Sequence, residues 1–467
     1  MTVKLALPTG ELRAVVGELL HQVGIPAPEY ESASRVLRAT DSKSGLTVRV
    51  FRERDIPIQV ALGNYHVGIC SDLWLAEQQV RFPLQHIVRV GTLPGPETEV
   101  WVAAAESSGC SSGELPAAPA LREARIASEL PNLADLFAVR ARIPGYRLIP
   151  IHGSAEAYPP EDAELVVIPG SRAEVISRGL VPLHRLYVGG LSLIANVDGL
   201  GGVNLATVID ALAPVLQSRK QGISLPRAGT GGFRAASERS KDMARIALPD
   251  GHAQPHTFAS LAAAGLAFDG YDERSYVRRP RANTAGLEVK VVRPQDMPSL
   301  VALGFFDIAI TGLDLLREHQ SRFPGSPVEM AVDLGRSRYK IGPVVESSFP
   351  ADRTAEALEI WHSLGRPVRI ASEFPALAET FARDYQLVHT HIMPIAGASE
   401  GFVPEDADIL IEGTETGASL RANGLKMLDP FMVSTNCAIV RRDPITERTD
   451  VIEKLLARFQ RAAEQAD

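Results

Sequence analysis

The sequence repeats itself over most of its 467 residues, and this repetition limits the fold more than any other feature. Four pairs of strings recur in the same order: ARIASELPNLA (124–134) with VRIASEFPALA (368–378), KLALPTG (4–10) with RIALPDG (245–251), RERDIP (52–57) with RPQDMP (293–298), and IHGSAEAYPPEDAEL (151–165) with IAGASEGFVPEDADI (395–409). Because the separation within each pair is nearly constant, the sequence predicts two full-length copies of one unit.

The predicted copies span residues 1–217 and 244–467, joined by a segment at 218–243. That segment is rich in Gly, Ser and Arg and has no apolar periodicity, which predicts a flexible linker. Within each copy, short apolar strings such as LEVKVV (287–292) alternate with amphipathic helical patterns. This alternation predicts an α/β fold with parallel strands. About 220 residues per copy allow two lobes with a cleft between them.

Composition excludes several classes of protein. A net charge of −8 and the lack of a long basic run argue against nucleic-acid binding. No apolar run approaches the roughly 20 residues that a membrane helix needs, so no membrane association is expected. Three cysteines without CxxC spacing indicate a reducing compartment, and the short N-terminal apolar stretch is broken by Pro8. We therefore expect a cytoplasmic protein.

The string IEGTETGASLRANG at residues 411–424 resembles a binding loop between a strand and a helix. Ligands of open α/β sheets bind beyond the carboxyl ends of strands, where helix N-termini attract phosphate. Gly417 and Ala418 allow close approach of the backbone, and Thr416 and Ser419 add hydroxyl donors. Glu412 is placed to accept hydrogen bonds from sugar hydroxyls or to stabilise a ribosyl cation. The alternative is a plain strand-to-helix turn capped by threonine.

Together with RIALPDG, RPQDMPSLVALGFFDIAITGLDLL, RIASEFP and GASE, this loop resembles the ATP phosphoribosyltransferase family over residues 245–442. The resemblance implies a bilobal fold like type II periplasmic binding proteins, with ATP, phosphoribosyl pyrophosphate and Mg²⁺ in the cleft. It implies that Glu412 binds ribose hydroxyls. The implied substrate-binding residues are Thr414, Glu415, Thr416, Gly417, Ala418, Ser419, Arg293, Asp314 and Glu400.

The second copy departs from the family in two places. The family usually carries Lys-Gly-Arg in its first loop, whereas residues 250–252 are Asp-Gly-His, which puts contacts from this loop in doubt. Long family members carry a C-terminal regulatory domain, and here only an amphipathic helix is expected after residue 442. Short members instead recruit a regulatory protein related to histidyl-tRNA synthetase. The resemblance therefore implies a homo-oligomer with such a regulatory subunit as a possible partner.

The first copy does not match the family at the loop that corresponds to residues 412–420. Opposite EGTETGASL it carries IPGSRAEVI, so that Ile168 replaces the acid and Glu174 lies where phosphate would bind. Its other family residues persist, namely Arg52, Asp55, Gly153 and Glu156. We expect a unit that has kept its fold and lost its sugar-phosphate site.

Three other features of the sequence bear on its function. His389 and His391 share one face of a predicted strand, but without a nearby cysteine or carboxylate they indicate structural histidines rather than a metal site. Arg338 and Lys340 suit either a solvated strand face or contacts with ATP phosphates. Cys437 lies in an apolar strand and is expected to be inert. The competing function is a non-catalytic tandem binding or regulatory protein of the same fold.

Overall fold

The computed structural model describes residues 3–25, 27, 30, 37–41, 46–83, 86–198, 205–217, 222–224, 226, 229, 231–234 and 242–464. Within these residues, strands and helices alternate and both halves follow a similar order of elements. Each half consists of two α/β lobes. The predicted fold class, two tandem bilobal α/β copies, is confirmed.

The first copy builds a sheet that continues through both of its lobes. Its strand order is β2-β3-β1-β4-β9-β5-β8-β6-β7, with β10 beside β9. The strands are β1 (Val3–Pro8), β2 (Arg38–Asp41), β3 (Leu46–Phe51), β4 (Val67–Ser71), β5 (Ile87–Ala105), β6 (Arg125–Ser128), β7 (Arg147–Pro150), β8 (Leu165–Pro169), β9 (Leu180–Asn196) and β10 (Gly222–Ile223). The helices are α1 (Leu12–Gln22), α2 (Ile56–Ala61), α3 (Asp72–Arg81), α4 (Pro131–Arg140), α5 (Arg172–Ser177) and α6 (Ala206–Leu212).

The long antiparallel pair β5 and β9 joins the two lobes of the first copy. β4 pairs with one end of β9, and β8 pairs with the far end of β5. In β1, the adjacent residues Leu5 and Ala6 are both fully buried. Helices cover both faces of parallel strands, so such strands are continuously apolar in sequence.

The second copy divides the same elements between two main sheets, ordered β14-β11-β15-β23-β16 and β19-β18-β20-β17-β21, with β22 beside β17. The strands are β11 (Ala244–Pro249), β12 (Phe268–Asp269), β13 (Arg281–Ala282), β14 (Leu287–Val292), β15 (Ile308–Gly312), β16 (Val328–Asp333), β17 (Tyr339–Glu346), β18 (Val368–Ser372), β19 (Thr390–Pro394), β20 (Ile409–Thr414), β21 (Leu425–Met427), β22 (Met432–Ser434) and β23 (Asn436–Arg441). The helices are α7 (Ala253–Ala263), α8 (Met297–Ala302), α9 (Leu313–Arg322), α10 (Thr354–His362), α11 (Pro375–Asp384), α12 (Ala418–Ala422) and α13 (Thr449–Glu464).

The two copies pack against each other through opposite lobes. The second lobe of the first copy contacts the first lobe of the second copy. There Asp162 pairs with Arg245 at 2.8 Å (Oδ1 to Nη1) and with Lys290 at 2.5 Å (Oδ2 to Nζ). In the opposite contact, the Tyr65 hydroxyl donates to Asp406 at 2.6 Å. Asp162 and Asp406 occupy equivalent positions in the repeats, so the two contacts are related by a pseudo-twofold axis.

Apolar cores also cross between the copies. Phe51 of the first copy packs on Phe402 of the second, with ring centroids 4.7 Å apart. Tyr158 and Phe306 belong to one buried cluster in the opposite contact. Each large side chain buried in this way contributes roughly 1.5–3 kcal/mol to stability. The copies therefore form one packed body, held together by far more than the chain that connects them.

The segment predicted as a flexible linker, residues 218–243, contacts the first copy where the structure describes it. Gly222–Ile223 pair with β9, and Phe233 packs against the core of the second lobe. The amide of Arg234 donates to the carbonyl of Ser108 at 3.0 Å. At these residues the chain is anchored rather than a free coil, because its backbone and apolar side chains find partners on the lobe. The other residues predicted in this linker lie partly outside the described ranges.

Candidate functional site

The loop that follows β20 is held by its own side chains. Glu412 is half-buried and accepts a hydrogen bond from the amide of Gly413 at 2.8 Å (Oε1). The Thr414 hydroxyl accepts from the amide of Gly417 at 2.9 Å, and the Thr416 hydroxyl accepts from Ala418 at 3.3 Å. A hydroxyl that accepts a hydrogen bond still carries a hydrogen to donate. The loop is thus ordered around two threonines that retain donor capacity toward a ligand.

Two glycines of this loop are required by their surroundings. A Cβ on Gly413 would lie 2.5 Å from the ring of Tyr339, which no side chain tolerates. Gly417 has φ 69° and begins helix α12 in the left-handed region, where other residues are strained. Packing and backbone conformation therefore require glycine at these two positions, in addition to any close approach of a ligand.

A second loop brings another carboxylate to the first. The hydroxyl of Ser419 donates to Glu400, and the hydroxyl of Ser399 donates to Glu412. Burial raises the pKa of Glu412 to about 8, and the negative charges of Glu373 and Glu400 add to this shift. The structure therefore brings together Glu412, Glu400 and Ser419, which the sequence placed in one site. A group of carboxylates around hydroxyl donors suits a polyhydroxyl ligand that carries positive charge.

Basic residues line a cavity of about 400 Å³ on the loop itself. Its lining includes Lys340, Arg421 and Lys426 together with Thr414 and Gly417. A cation-lined cavity against threonine hydroxyls has the chemistry of an anion site. Sequence reasoning left Lys340 open and missed Arg421, although Arg421 lies four residues after Gly417 and therefore on the same side of the helical turn.

Asp314 lies beneath this loop. It is buried at the start of α9, and its carboxylate accepts from the Ser434 hydroxyl at 2.7 Å. Asp314 also hydrogen-bonds Tyr339, and burial together with this carboxylate raises the pKa of the Tyr339 hydroxyl. Tyr339 also packs on Gly413, so the Tyr339 ring connects Asp314 to the loop. The two other predicted residues of this region, Glu415 and Arg338, are exposed.

Arg293, a predicted substrate-binding residue, lies against the first copy. Its Nη1 donates to Asp250 at 3.2 Å, and its Nε lies 2.6 Å from the point where a Cβ on Gly153 of the first copy would be. Its repeat equivalent, Arg52, lies in the same way against Gly397 of the second copy, at 2.9 Å from the corresponding point. Each arginine therefore crosses from its own copy to the other.

In the corresponding loop of the first copy, a glutamate side chain caps the helix that follows. Ser171 and Glu174 form a capping box at the start of α5, in which Glu174 accepts from the Ser171 amide at 2.6 Å. This hydrogen bond lowers the pKa of Glu174. A cavity of about 480 Å³ beside it is lined by Glu11, Glu53, Glu97 and Glu174, and no lysine or arginine appears among its described lining residues. The first copy thus presents carboxylates at this loop, where the second copy presents hydroxyls and basic side chains.

The described residues contain no cluster of three or more His, Cys, Asp or Glu side chains suited to a metal ion. His391 lies in β19 opposite Arg369, and the carbonyl of His389 accepts from the Val368 amide. Cys437 is fully buried in β23, and burial raises the pKa of its thiol. Within the same described ranges, no helix is long and apolar enough to cross a membrane.

Two segments of the chain, residues 52–200 and 293–461, match the family model of ATP phosphoribosyltransferase. Together they cover more than half of the sequence. The chain belongs to the ATP phosphoribosyltransferase family. That one model matches both halves agrees with the repeats seen in the sequence.

Relatives align with about half of the chain. An ATP phosphoribosyltransferase of Prosthecochloris aestuarii is 34% identical over 210 residues, 44% of this chain and 65% of the relative. That of Leptothrix cholodnii is 26% identical over 216 residues, 46% of this chain and 95% of the relative. The chain thus spans about two thirds of the length of the first ATP phosphoribosyltransferase and nearly all of the second.

Solved structures also align with about half of the chain. An ATP phosphoribosyl transferase (HisG:HisZ) complex from Thermotoga maritima shows a TM-score of 0.38 at 22% identity, covering 48% of this chain and 100% of that one. The alkanesulfonate-binding protein SsuA from Xanthomonas axonopodis gives a TM-score of 0.31 at 11% identity, covering 46% and 72%.

Proposed function

We propose that the second copy transfers the phosphoribosyl group of phosphoribosyl pyrophosphate to ATP, the first step of histidine biosynthesis. The observation that carries this proposal is the constellation of Glu412, Glu400 and Ser419 on an intact loop, in a chain of the ATP phosphoribosyltransferase family. In the reaction a ring nitrogen of adenine forms a bond to C1 of ribose. The bond from C1 to the pyrophosphate oxygen breaks, and its electron pair leaves with pyrophosphate.

The residues of the loop have distinct tasks in this reaction. The hydroxyls of Thr414, Thr416 and Ser419 hold the 5-phosphate, with Gly417 and Ala418 allowing the backbone to come close. Glu412 accepts hydrogen bonds from the ribose hydroxyls. Its negative charge stabilises the positive charge that develops on the ribose ring as the C1–O bond breaks. Catalysis on this proposal rests on positioning and electrostatics and uses no covalent intermediate.

Of the remaining predicted site residues, Asp314 supports the loop through Tyr339, and Glu415 and Arg338 are exposed. Arg338 would contact the phosphates of ATP, and Glu415 would help to hold a Mg²⁺-bound pyrophosphate. Arg293, held by Asp250, remains a proposed cleft residue on the strength of the family resemblance alone.

Magnesium fits this site as a companion of the substrate rather than as a resident of the protein. Mg²⁺ commonly binds through one or two carboxylates plus substrate phosphates. Glu400 and Glu412 supply such oxygens, whereas no cage of three ligands exists among the described residues. The ion would neutralise the leaving pyrophosphate.

The test is turnover by the full-length chain. With ATP, phosphoribosyl pyrophosphate and Mg²⁺ it should form phosphoribosyl-ATP, detected by near-ultraviolet absorbance and verified by mass. Failure of a folded preparation, alone and with candidate regulatory proteins, would remove the enzymatic proposal. Calorimetric binding of phosphoribosyl pyrophosphate without turnover would favour the second candidate, a tandem binding or regulatory protein. The self-capped loop of the first copy is the observation that favours that candidate.

We also propose that the chain assembles further, as a homo-oligomer or with a regulatory subunit related to histidyl-tRNA synthetase. The name of the Thermotoga structure describes a complex of HisG with HisZ. Light scattering of the purified chain, with and without such a subunit, tests this proposal. A monodisperse monomer under both conditions would contradict it.

A further inference from the structure

We propose that a cavity at the junction of the two copies is a ligand site separate from the loop after β20, and that it takes a small organic acid with an aromatic or branched apolar body. This junction cavity has a volume of about 570 Å³. Leu148 and His152 of the first copy line it together with Leu303, Arg322 and Phe323 of the second. Cavities that bind small molecules typically span about 300–1,000 Å³ and combine apolar walls with a few converging polar groups.

Large apolar side chains are exposed at the ends of the two helices that line the junction cavity. Leu303, the residue after α8, is 65% exposed, and Phe323, the residue after α9, is 47% exposed. Leu148 in β7 of the first copy and Phe374, before α11, extend the apolar lining. Removing apolar surface from water is favourable. The lining therefore favours a ligand with an apolar body.

Two guanidinium groups of the junction cavity form no ion pair with any of the described residues. Arg322, the last residue of α9, lies over the Phe323 ring at 5.3 Å, and Arg54 of the first copy lies over the Trp74 ring at 5.9 Å. Both arginines are exposed. An arginine that stacks on an aromatic ring keeps its N–H donors for a planar anion such as a carboxylate. The cavity thus offers positive donors beside apolar side chains.

Two carboxylates of the junction cavity are compensated by their neighbours. Glu318 accepts from two backbone amides in the first turn of α11, at 2.9 and 2.8 Å. Burial raises the pKa of Glu373, and the charges of Arg52 and Arg54 oppose that rise. The charge that remains most open to a ligand is therefore the guanidinium at the end of α9, which favours an anionic group on the ligand.

His152 adds a polar group that comes from the first copy. Its ring Nδ1 lies 2.6 Å from Oδ1 of Asp296, and its backbone amide donates to Oδ2 of the same carboxylate at 3.1 Å. Because Asp296 is buried, a carboxylate of the second copy fixes the imidazole in place. With Nδ1 engaged, Nε2 is the ring nitrogen that can hydrogen-bond a ligand. The equivalent residue at the other junction is Ala396, which carries no imidazole.

Glu373 connects the junction cavity with the loop after β20. It lines the cavity, and its charge adds to burial in raising the pKa of Glu412. The described lining residues include none of residues 411–424. An anion in the cavity would therefore lie beside the loop rather than on it, within electrostatic range of Glu412.

The test uses anilinonaphthalene sulfonate, a fluorescent probe that joins an aromatic body to one anionic group. Titration of the full-length chain should show one saturable site per chain. Arg322→Gln removes the guanidinium and Leu303→Glu adds a repelling charge, so each should weaken binding at least about tenfold. Both positions are exposed, so the melting temperatures of these variants should match that of wild type. Arg317→Gln is the control, because Arg317 is exposed on the same helix and lies outside the cavity lining.

Competition with the probe identifies the class of ligand. Phenylacetate should displace the probe at least about tenfold better than phenylacetamide, which has a similar shape without the charge. His152→Ala should weaken the binding of phenylacetate, because it removes one hydrogen bond. Saturating ATP and phosphoribosyl pyrophosphate should leave the probe bound.

Three results would each overturn this inference: displacement of the probe by either substrate, equal displacement by the acid and the amide, or an equal loss of binding in Arg322→Gln and Arg317→Gln. A chain that binds the probe without any saturable site would overturn it as well. These measurements follow binding and need no turnover. An inactive chain would therefore remove the proposed function and leave the junction cavity as a ligand site.

Discussion

The carboxyl of Glu412 gives the site a pH dependence. Burial, followed by the charges of Glu373 and Glu400, raises its pKa to about 8, so much of it is protonated at neutral pH. A neutral carboxyl cannot stabilise positive charge on ribose. We therefore expect kcat/KM for phosphoribosyl pyrophosphate to rise with pH and to level off above about pH 8. Glu412→Gln should remove both the rise and most of the activity.

The free energy of unfolding provides an independent test of the raised pKa of Glu412. Because the folded pKa lies above the ordinary value for glutamate, folding favours the protonated form. That stabilisation is complete below the ordinary pKa and is lost as pH rises through about 8. Glu412→Gln does not titrate, so its free energy of unfolding should gain on that of wild type between about pH 5 and pH 9. If the difference in urea midpoint between Glu412→Gln and wild type is the same at about pH 5 and pH 9, the raised pKa of Glu412 is contradicted.

A substitution at Thr416 tests whether this residue binds phosphoribosyl pyrophosphate rather than ATP. Its hydroxyl accepts from the Ala418 amide and, on the proposed function, donates to the 5-phosphate. Thr416→Val removes a hydrogen bond to a charged group, which contributes on the order of 1.5–3 kcal/mol. We expect the KM for phosphoribosyl pyrophosphate to rise at least about tenfold, with the KM for ATP changed much less. An unchanged KM for phosphoribosyl pyrophosphate would exclude Thr416 from the site.

At the scale of elements, the packing of β20 against β17 supports the loop. A Cβ on Gly413 would lie 2.5 Å from the Tyr339 ring, and Tyr339 is tied to Asp314 at the start of α9. We expect Gly413→Ala to destabilise the fold by roughly 1–3 kcal/mol, as overpacking does, and to lower activity. Gly325→Ala is the matched control, because nothing lies within 4 Å of its Cβ position. Thermal unfolding of the two variants should differ clearly, and equal melting temperatures would contradict this account.

Elements with strong local patterns were predicted well from the sequence. LEVKVV is β14 at Leu287–Val292, and the alternation of strands and helices continues with α8 at Met297–Ala302. An amphipathic helix after residue 442 is present as α13. Apolar strings between polar turns fix such elements locally. The anchoring of Gly222–Ile223 on β9 could not be read this way, because the strand is two residues long and its partner is remote in sequence.

The site residues show the same difference between features that the sequence predicts and features that depend on distant contacts. The grouping of Glu412 with Glu400 was implied by the family resemblance of their two loops. The direction of Arg293 did not, because Asp250 and a glycine of the other copy decide it. Likewise Tyr65 meets Asp406 across 341 residues of chain, a contact without any local pattern. Contacts between repeats depend on how the copies dock, and periodicity within a repeat carries no information about docking.

At the scale of the whole molecule, the first copy should be structurally indispensable and its loop dispensable. Deleting residues 1–240 would expose Phe402 and Asp406, so we expect the product to lose solubility or activity. The control is a double substitution on the degenerate loop, Ser171→Ala with Arg172→Ala. It should keep turnover nearly intact, because on the proposed function this loop binds no phosphate. Sedimentation and turnover measure both variants, and an active, soluble deletion product would show that the copies are independent.

The capped loop of the first copy also bears on how many substrate sites each chain has. A symmetric pair of such units would offer two equivalent sites that can communicate across the axis. On the proposed function, the loop capped by Glu174 binds no phosphate, so each chain should bind one equivalent of phosphoribosyl pyrophosphate. Substrate saturation of an isolated chain should then be hyperbolic, and a sigmoidal response would arise between chains rather than within one.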